Sequence, residues 1–564
     1  MIGLNKIGLN QVQLNQLYLN TLCTGQKSSG GDGFPRLPGD VTRWSFKGLT
    51  NEMMSKNPRL EDADHKGRFL TFKNFAWSGM SGVDGYKFNF LTNEWVINND
   101  QVSEKYSYKI VINNKQNSVQ LYNRINLGHI KITLKITGIE INKSTFRVYD
   151  NAGTEHAQDY TKDGIYEIDY TANEGANIVY FYVFGGNMGQ LENPITIEQL
   201  PLYPDALVFD GVDDYGICEN FPILTKEKGY TVVALRQWIS MGKGISGLVS
   251  NVKNWFNDGA FVLEHNSNNA TNKFVNRPVS FGNVNIEMDL PNNFAYQTSK
   301  SYKGVPITTG SFKGTNSLFV GKLNSIIGNS SNVAIWELVF LDHDATEEEL
   351  TKIKDYFIKT YPWLFFDQAW TVTGKTNEDT DRATITNITG NGNNLVLSNF
   401  GFAEGSGYNE EGEYAGYLVT DGVDDIIRSS AFTVGKDWTT VGEWEFLKED
   451  AIKIVGIAKF GSFRFYNYSF IGRMNVYINS DLGTNVIGES VKAATSKGSV
   501  YLDFNSVTEV TPGDEVDLGQ SLFIGYNANN FTKLAFKNLA IYSAVLSKED
   551  MIKAYIYLQT LKAK

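Results

Sequence analysis

Along most of the chain, apolar and polar residues alternate with the period of two that is typical of β-strands. In HIKITLKITGI, Ile130, Ile132, Leu134 and Ile136 alternate with lysines and threonines, which predicts a strand with one buried face. The runs STFRVYD, IYEIDY and IVYFYVF follow, separated by the turn signals NAG, KDG and NEG. The pattern therefore predicts an all-β chain.

Residues that favour the start of a helix occur at two places, each after a strand-like run. Thr346 is followed three residues later by Glu349, and Ser547 by Asp550, so each hydroxyl can cap early amides while the acid lies near the positive helix end. Apolar residues at helical spacing follow both caps, namely Leu350, Ile353 and Phe357 after the first and Ile552, Tyr555 and Ile556 after the second. We expect two short helices at these positions.

An internal repeat organises the body of the chain. ALVFDGVDDYG recurs as YLVTDGVDD, and NSLFVGKLN recurs as QSLFIGYNA, each copy ending at one of the predicted helices. In the first copy more than a hundred residues with strand patterns of their own are inserted. The predicted organisation is a first module at 41–99 and 204–365, an inserted β-sandwich at 100–203, and a second module at 366–564.

The first 24 residues, MIGLNKIGLNQVQLNQLYLNTLCT, carry an Asn at every fifth position from 5 to 20. Their apolar positions suit short extended pieces with one apolar side rather than a helix. We interpret them as an attachment or oligomerisation tail, and the alternative is a frayed N-terminus. The apolar residues assigned to attachment are Ile2, Leu4, Ile7, Leu9, Val12, Leu14, Leu17 and Leu19. Residues 25–40, rich in Gly, Ser and Pro, are predicted to be a flexible linker.

Composition narrows the classes of partner. The 564 residues suggest three to four domains. The net charge of −11 without a basic run disfavours nucleic acid. Two cysteines exclude a disulfide framework and a cysteine zinc cluster. No apolar run of 18 residues and no secretory h-region occur, so we expect no membrane insertion and folding in a reducing cytoplasm.

The repeated elements resemble a known fold family. NITGNGNNL, LVFDGVDDY, YTVVALRQW and SLFVG, followed by a final strand and a capped helix, are similar to the elements of laminin-G/concanavalin A-like jelly-roll modules. The resemblance covers both modules. It implies two concanavalin A-like jelly-roll sandwiches plus the inserted small β-sandwich, each jelly roll closed by one short helix. This fold carries lectins, enzymes and structural spacers alike, so it does not fix a function.

The whole chain is also similar in style to surface and fibre proteins of crAss-like phages that infect gut Bacteroidales. The resemblance implies a virion structural protein (head fibre, tail fibre or capsid decoration) on the virion surface, assembled in the host cytoplasm. Its implied partners are capsid or tail proteins, further copies of itself and host-surface glycans. The alternatives are a free-standing carbohydrate-binding protein and, third, a glycoside hydrolase.

Acidic loops are the first candidate chemistry. Asp213, Asp214, Asp424 and Asp425 follow the repeated Asp-Gly pairs and are oxygen donors of the kind that calcium takes. The alternative is turn formation, because Asp-Gly supplies the positive φ angles of a tight hairpin. Two neighbouring carboxylates do not complete a calcium site unless other loops contribute. We therefore expect no cofactor other than calcium.

Catalytic carboxylates are the second kind of candidate site. An E-x-D-x-E strand would place three acids in one cleft, but the nearest stretches begin at Glu167 and Glu287 and lack the third acid. No histidine cluster with ligand spacing, nucleophile elbow or P-loop occurs. No catalytic residue is assigned, and the sequence predicts that the protein is not an enzyme.

Aromatic residues are the third. Trp238, Trp336, Trp438 and Trp444 lie within strand patterns, so we expect them in the core. Better placed for sugar contacts are aromatic residues near predicted loops or in the inserted sandwich, namely Trp255, Phe256, Tyr160, Tyr166 and Tyr170.

Overall fold

The structure is a computed structural model of the 564-residue chain. It describes residues 33–92, 94–97, 102–112, 118–123, 129–185, 191–225, 227–240, 245–251, 262–266, 275–278, 286–287, 294–302, 305–306, 315–322, 330–412, 414–447, 454–459, 463–467, 491–509, 519–527 and 530–563. The tail residues at 1–24, as well as Trp255 and Phe256, lie outside the described residues.

The chain is all-β apart from short helices, as the alternation predicts. Before and within the insertion the strands are β1–β4 (Val41–Ser45, Arg59–Glu61, Phe69–Lys73, Gly82–Val83) and β5–β14 (Trp95–Ile97, Val102–Lys105, Lys109–Ile112, Ser118–Asn123, His129–Thr137, Thr145–Asp150, Gly153–Tyr160, Gly164–Thr171, Val179–Phe184, Ile195–Gln199).

The rest of the first module contributes twelve strands. These are β15–β26 (Leu207–Asp210, Tyr215–Cys218, Thr231–Trp238, Ile245–Ser250, Val262–Asn266, Val275–Pro278, Ile286–Glu287, Phe294–Thr298, Ser301–Tyr302, Val305–Pro306, Leu318–Val320, Asn332–Leu341).

The second module contributes the remaining strands. These are β27–β42 (Gln368–Thr371, Thr384–Ile385, Leu395–Ser398, Gly407–Tyr408, Leu418–Val419, Ile426–Ala431, Thr439–Phe446, Ile454–Lys459, Phe463–Asn467, Ala493–Thr495, Ser499–Tyr501, Thr508–Glu509, Ser521–Ile524, Tyr526–Asn527, Asn530–Phe531, Leu534–Tyr542).

The helices in the described part of the chain are α1 (Asn51–Lys56), α2 (Glu347–Thr360) and α3 (Lys548–Gln559), with a short 3-10 turn at Pro362–Leu364. Both predicted helices are confirmed with their caps: Glu349 N donates to Thr346 Oγ1 at 3.3 Å, and Asp550 N donates to Ser547 Oγ at 3.1 Å. Helix α1 was not expected. Thr50 caps it, but six residues are too few to show helical periodicity in a sequence.

The two modules repeat the same antiparallel arrangement. In the first, β26 pairs with β1 and with β17; in the second, β42 pairs with β27 and with β33. Even the irregularity recurs, because β17 and β33 each carry a bulge against the long strand. The facing sheets have the orders β2-β3-β16-β25-β18-β19-β20-β21 and β28-β29-β32-β39-β34-β35. The fold is therefore two jelly-roll sandwiches, each with a closing helix.

The insertion is a sandwich of two five-stranded sheets, with the orders β11-β10-β13-β8-β5 and β12-β9-β14-β7-β6. We name them the tyrosine sheet and the lysine sheet, after the side chains on their outer faces. Between them, alternate residues of β9, β10 and β13 form one buried core. The half-buried strand at 129–137 is confirmed in register, with Ile130, Ile132, Leu134 and Ile136 all buried.

Each jelly roll has its own tryptophan-rich core. Trp238 and Trp336 are buried in the first, and Trp438 and Trp444 are buried in the second, as expected. The described residues within 1–75, 209–287 and 294–360 form one compact unit, and those within 76–208 and 361–564 form another. The inserted sandwich and the second jelly roll thus belong to the same unit. No helix in the described part of the chain is long and apolar enough to cross a membrane.

Candidate functional site

The repeated DGVDD segments form matching acidic loops. Three carboxylates in each loop, those of Asp210, Asp213 and Asp214 in the first and of Asp421, Asp424 and Asp425 in the second, offer ligand oxygens within 4.8 Å of one another. The sequence singled out the last two acids of each triplet and assigned the first one to the turn. The structure brings all three together, so Asp210 and Asp421 are the residues that sequence reasoning missed.

Hydrogen bonds from backbone amides to aspartate side chains shape both loops in the same way. Asp210 N donates to Asp214 Oδ2 at 3.0 Å, and Asp421 N donates to Asp425 Oδ2 at 2.7 Å. Gly211 has φ +80°, which favours glycine because a side chain is strained there. The turn interpretation and the clustering of acids are therefore compatible: the tight turn itself brings the carboxylates together.

The environment of the second loop changes the pKa of one of its three carboxyl groups. Burial raises the pKa of Asp425 to about 6, and the neighbouring charges of Asp421 and Asp424 add to the increase. Ser406 Oγ donates to Asp425 Oδ1 at 3.0 Å. Calcium takes six to eight oxygens, so three carboxylates fit such an ion only if carbonyl or water oxygens complete the shell.

An ionic cluster around the buried Glu443 joins the lysine sheet to the second jelly roll. Lys131 Nζ, on β9, lies 3.2 Å from Glu167 Oε1 and 3.1 Å from Asp169 Oδ2, both on β12. The same ammonium lies 2.8 Å from Glu443 Oε1, on β33 of the second jelly roll. Lys537 Nζ approaches this oxygen to 3.3 Å. Five charged groups from two domains thus meet around the contact between Lys131 and Glu443.

Two tyrosines complete the junction. The Tyr417 hydroxyl donates to Glu443 Oε1, while Tyr555 OH donates to Glu167 Oε2 at 2.6 Å and receives a hydrogen bond from Lys492 Nζ at 2.8 Å. Nearby, Asn505 Nδ2 donates to the carbonyl oxygen of Ile165 at 3.1 Å. The contacts of Tyr555 with Glu167 and of Asn505 with Ile165 cross between the two domains, whereas the other two lie within the second jelly roll.

The charges of the junction fix its ionisation. Burial alone would raise the pKa of Glu443, but the ammonium groups of Lys131 and Lys537 outweigh it and hold that pKa well below its usual range. Burial would likewise lower the pKa of Lys131, and Glu443 and Glu167 outweigh it and raise that pKa. A carboxylate that stays ionised at neutral pH cannot donate a proton as a general acid. The lowered pKa of Glu443 and the raised pKa of Lys131 favour the charged forms of both groups, and their ion pair links the inserted sandwich to the second jelly roll.

The three tyrosines predicted to contact sugars have different environments. Tyr166 is half-buried, with its ring 4.6 Å from that of Tyr160. Tyr160 is also half-buried, and both rings pack partly against the core of the inserted sandwich. Tyr170 is 1% exposed and donates to Asp150 Oδ2 at 2.8 Å. Its assignment as a sugar contact is corrected, because it points inward with Ile168 on the same face of β12.

Comparison with known proteins identifies no family. No family model matches the chain, and no curated protein matches it. Solved structures similar to it include the sialidase of Trypanosoma rangeli in complex with 2,3-difluorosialic acid, at 9% identity and a TM-score of 0.26 over 80% of this chain and 82% of that one. The binding domain of botulinum neurotoxin serotype D is similar at 12% identity and a TM-score of 0.24, over 61% of this chain and 90% of that one.

These neighbours correct one expectation. Because they include enzymes, the prediction that the chain is not an enzyme does not stand. TM-scores this low do not assign the activity or the ligand of these neighbours to this chain.

Proposed function

We propose that the chain is a structural protein of a bacteriophage virion, a head fibre, tail fibre or capsid decoration. In this proposal residues 1–24 attach it to capsid or tail proteins, and the β-modules attach to host-surface glycans. The observation that carries the proposal is the order of parts: a tail with a five-residue period, a linker rich in Gly, Ser and Pro, and a duplicated sandwich. Self-association of such a chain would multiply weak contacts into avidity.

Attachment is tested with matched tail variants in the full chain. Replacing Leu4, Leu9, Leu14 and Leu19 by Ser removes one apolar residue from each repeat, and replacing Asn5, Asn10, Asn15 and Asn20 by Ser is the control that leaves the apolar positions intact. We expect the leucine variant to fold but to be missing from purified particles, while the control is incorporated. Normal incorporation of the leucine variant would refute the anchoring role.

Glycan contact is tested separately. Tyr160 and Tyr166 are both half-buried and pack partly against the core of the inserted sandwich, so a sugar can contact only the part of either ring that remains accessible to solvent. The test uses Tyr166. On a glycan array we expect binding by the full chain that falls in Tyr166→Ala and is kept in Tyr170→Phe, a buried control that loses only a hydroxyl. Glycan binding by a protein that is absent from particles would favour the free-standing carbohydrate-binding protein instead.

A further inference from the structure

The outer face of the tyrosine sheet carries a continuous layer of aromatic side chains. On β13, Val179, Phe181 and Val183 point into the core, so Tyr180 and Tyr182 point outward. The outward residues of the neighbouring strands β10 and β8 continue the layer. The half-buried side chains that form this tyrosine face are Gln120, Tyr122, Arg147, Tyr149, Tyr180, Tyr182 and Phe184.

Strand register aligns these side chains in rows. Tyr149 lies opposite Tyr180, which lies opposite Tyr122, and Arg147 lies opposite Tyr182, which lies opposite Gln120. Neighbouring strands are about 4.8 Å apart, so the tyrosine row spans about 10 Å across three strands. The face is therefore an ordered layer of side chains rather than a set of scattered rings.

The rings cover one another's faces. Tyr149 and Tyr180 stack at 4.7 Å with 17° between planes, and Tyr182 and Phe184 stack at 4.9 Å with 16°. The guanidinium of Arg147 lies 4.7 Å from the centre of the Phe184 ring. A sugar needs an open ring face for stacking, and stacking within these two pairs covers one face of each of the four rings. The geometry thus favours a protein partner over a glycan.

The charges described on the face cancel. Arg147 donates to the Asp159 carboxylate through Nε at 2.5 Å and Nη2 at 2.6 Å, and Gln120 Nε2 donates to Tyr149 OH at 2.7 Å. Tyrosine and arginine are enriched in the cores of protein interfaces, whereas lysine and glutamate are depleted. A neutral face with donors and acceptors of both kinds is complementary to itself, because pairing two copies brings no net charges of like sign together.

We propose that the tyrosine face binds the same face of a second copy of this chain. Two flat sheet faces pack at about 10 Å with their side chains interdigitated, and a two-fold axis makes such a contact isologous and closed. The inference rests on the self-association included in the proposed function, but it assigns that association to the inserted sandwich and not to the tail.

Sedimentation of the full chain over a concentration series tests the assignment. We expect a dimer for the natural sequence. We expect at least about a tenfold weaker self-association for Tyr180→Ser/Tyr182→Ser, as for the loss of central interface tyrosines. Gln120→Lys keeps every ring and places like charges across the contact, so it should also give monomers. Val396→Ser, which removes a 51% exposed apolar side chain from the second jelly roll, is the control and should remain dimeric.

Several results would overturn the inference. They are a monomeric natural sequence, face variants that dimerise like the control, and glycan binding that is lost in the face variants while their oligomeric state is unchanged. Loss of the dimer in the leucine tail variant alone would assign self-association to the tail. Particle incorporation is scored independently of sedimentation, so failure of the anchoring role and failure of this inference are distinguishable.

Discussion

Each jelly roll buries a glutamate, and the two modules compensate its charge from different sources. In the first, Arg43 Nη1 lies 3.2 Å from Glu337 Oε2, and Tyr356 OH donates to Glu337 Oε1 at 3.2 Å. All three belong to the first module. In the second, the ammonium nearest to Glu443 is that of Lys131, which comes from the inserted sandwich. The first module therefore compensates its buried acid internally, whereas the second receives the nearer of two ammonium groups from the insertion and the other from its own Lys537.

The difference agrees with the grouping of the insertion and the second jelly roll in one compact unit, although the 162 residues from 204 to 365 separate them in the sequence. A buried carboxylate without a counter-charge is strongly destabilising. The lysine sheet supplies the nearer of the two counter-charges of Glu443, and this contact links the sheet to the second jelly roll. The tyrosine face lies on the other sheet of the inserted sandwich and takes no part in this junction. It carries few charges.

The largest expected effect comes from breaking the ion pair between Arg43 and Glu337 in the first module. Arg43→Met leaves Glu337, which is fully buried, without its guanidinium, and should lower the free energy of unfolding by about 3 to 5 kcal/mol. Urea unfolding followed by tryptophan fluorescence measures it. Arg43→Met/Glu337→Met is the control and should recover most of the loss. A double variant as unstable as the single one would contradict a charge-based explanation.

Breaking the junction should cost less. Lys131→Met removes one of two ammonium groups near Glu443 and leaves Lys537 at 3.3 Å, so we expect a loss of about 1 to 3 kcal/mol. Hydrogen exchange should show that protection falls in both the inserted sandwich and the second jelly roll. A change confined to the inserted sandwich would mean that the lysine contributes nothing to the second module.

The pH dependence sharpens the comparison. Because the pKa of Glu443 is lower in the folded state, its contribution to stability is present above the ordinary carboxylate pKa of about 4.3 and is lost as pH falls through the lowered value. The difference in melting temperature between the natural sequence and Glu443→Gln should therefore be constant from pH 6 to 8 and shrink in acid, on the order of pH 4 and below. An equal difference at every pH would argue against an ionised Glu443.

The smallest effect concerns the acidic loops. If they bind calcium as the sequence suggests, calcium at ten times the dissociation constant stabilises by about 1.4 kcal/mol, and Asp424→Asn/Asp425→Asn should remove the second loop's share. Since the pKa of Asp425 is about 6, protons should compete with the ion and weaken binding below that pH. Calorimetry with calcium chloride measures both. An enthalpy unchanged by the double variant would exclude this loop.

Much of the fold could be predicted from the sequence, because its determinants are local. Alternation placed Leu134 and its neighbours in the core, and hydroxyl caps at Thr346 and Ser547 located both closing helices. Helix α1 escaped because a single capped turn and a half leaves no periodic signal. Asp210 and Asp421 were assigned only to the Asp-Gly turns, so their place in the acid triplets was not predicted.

The junction could not be predicted because its determinants are distant. Alternation with the buried Trp444 and Phe446 places Glu443 on the outward side of β33, which for a sheet facing water means exposure. Instead its outward side faces Lys131, 312 residues earlier in the chain. A sequence pattern reports which face of a strand a residue occupies, but not what covers that face. The same reason leaves the tyrosine face invisible until register aligns β8, β10 and β13.

The most direct test is a double-mutant cycle between Lys131→Met and Glu443→Gln in the full chain, measured by urea unfolding. If Lys131 of the inserted sandwich compensates the charge of Glu443 together with Lys537, the two losses will couple by about 1 to 3 kcal/mol, as contacting charges do. Additive losses, within about 0.5 kcal/mol, would contradict it.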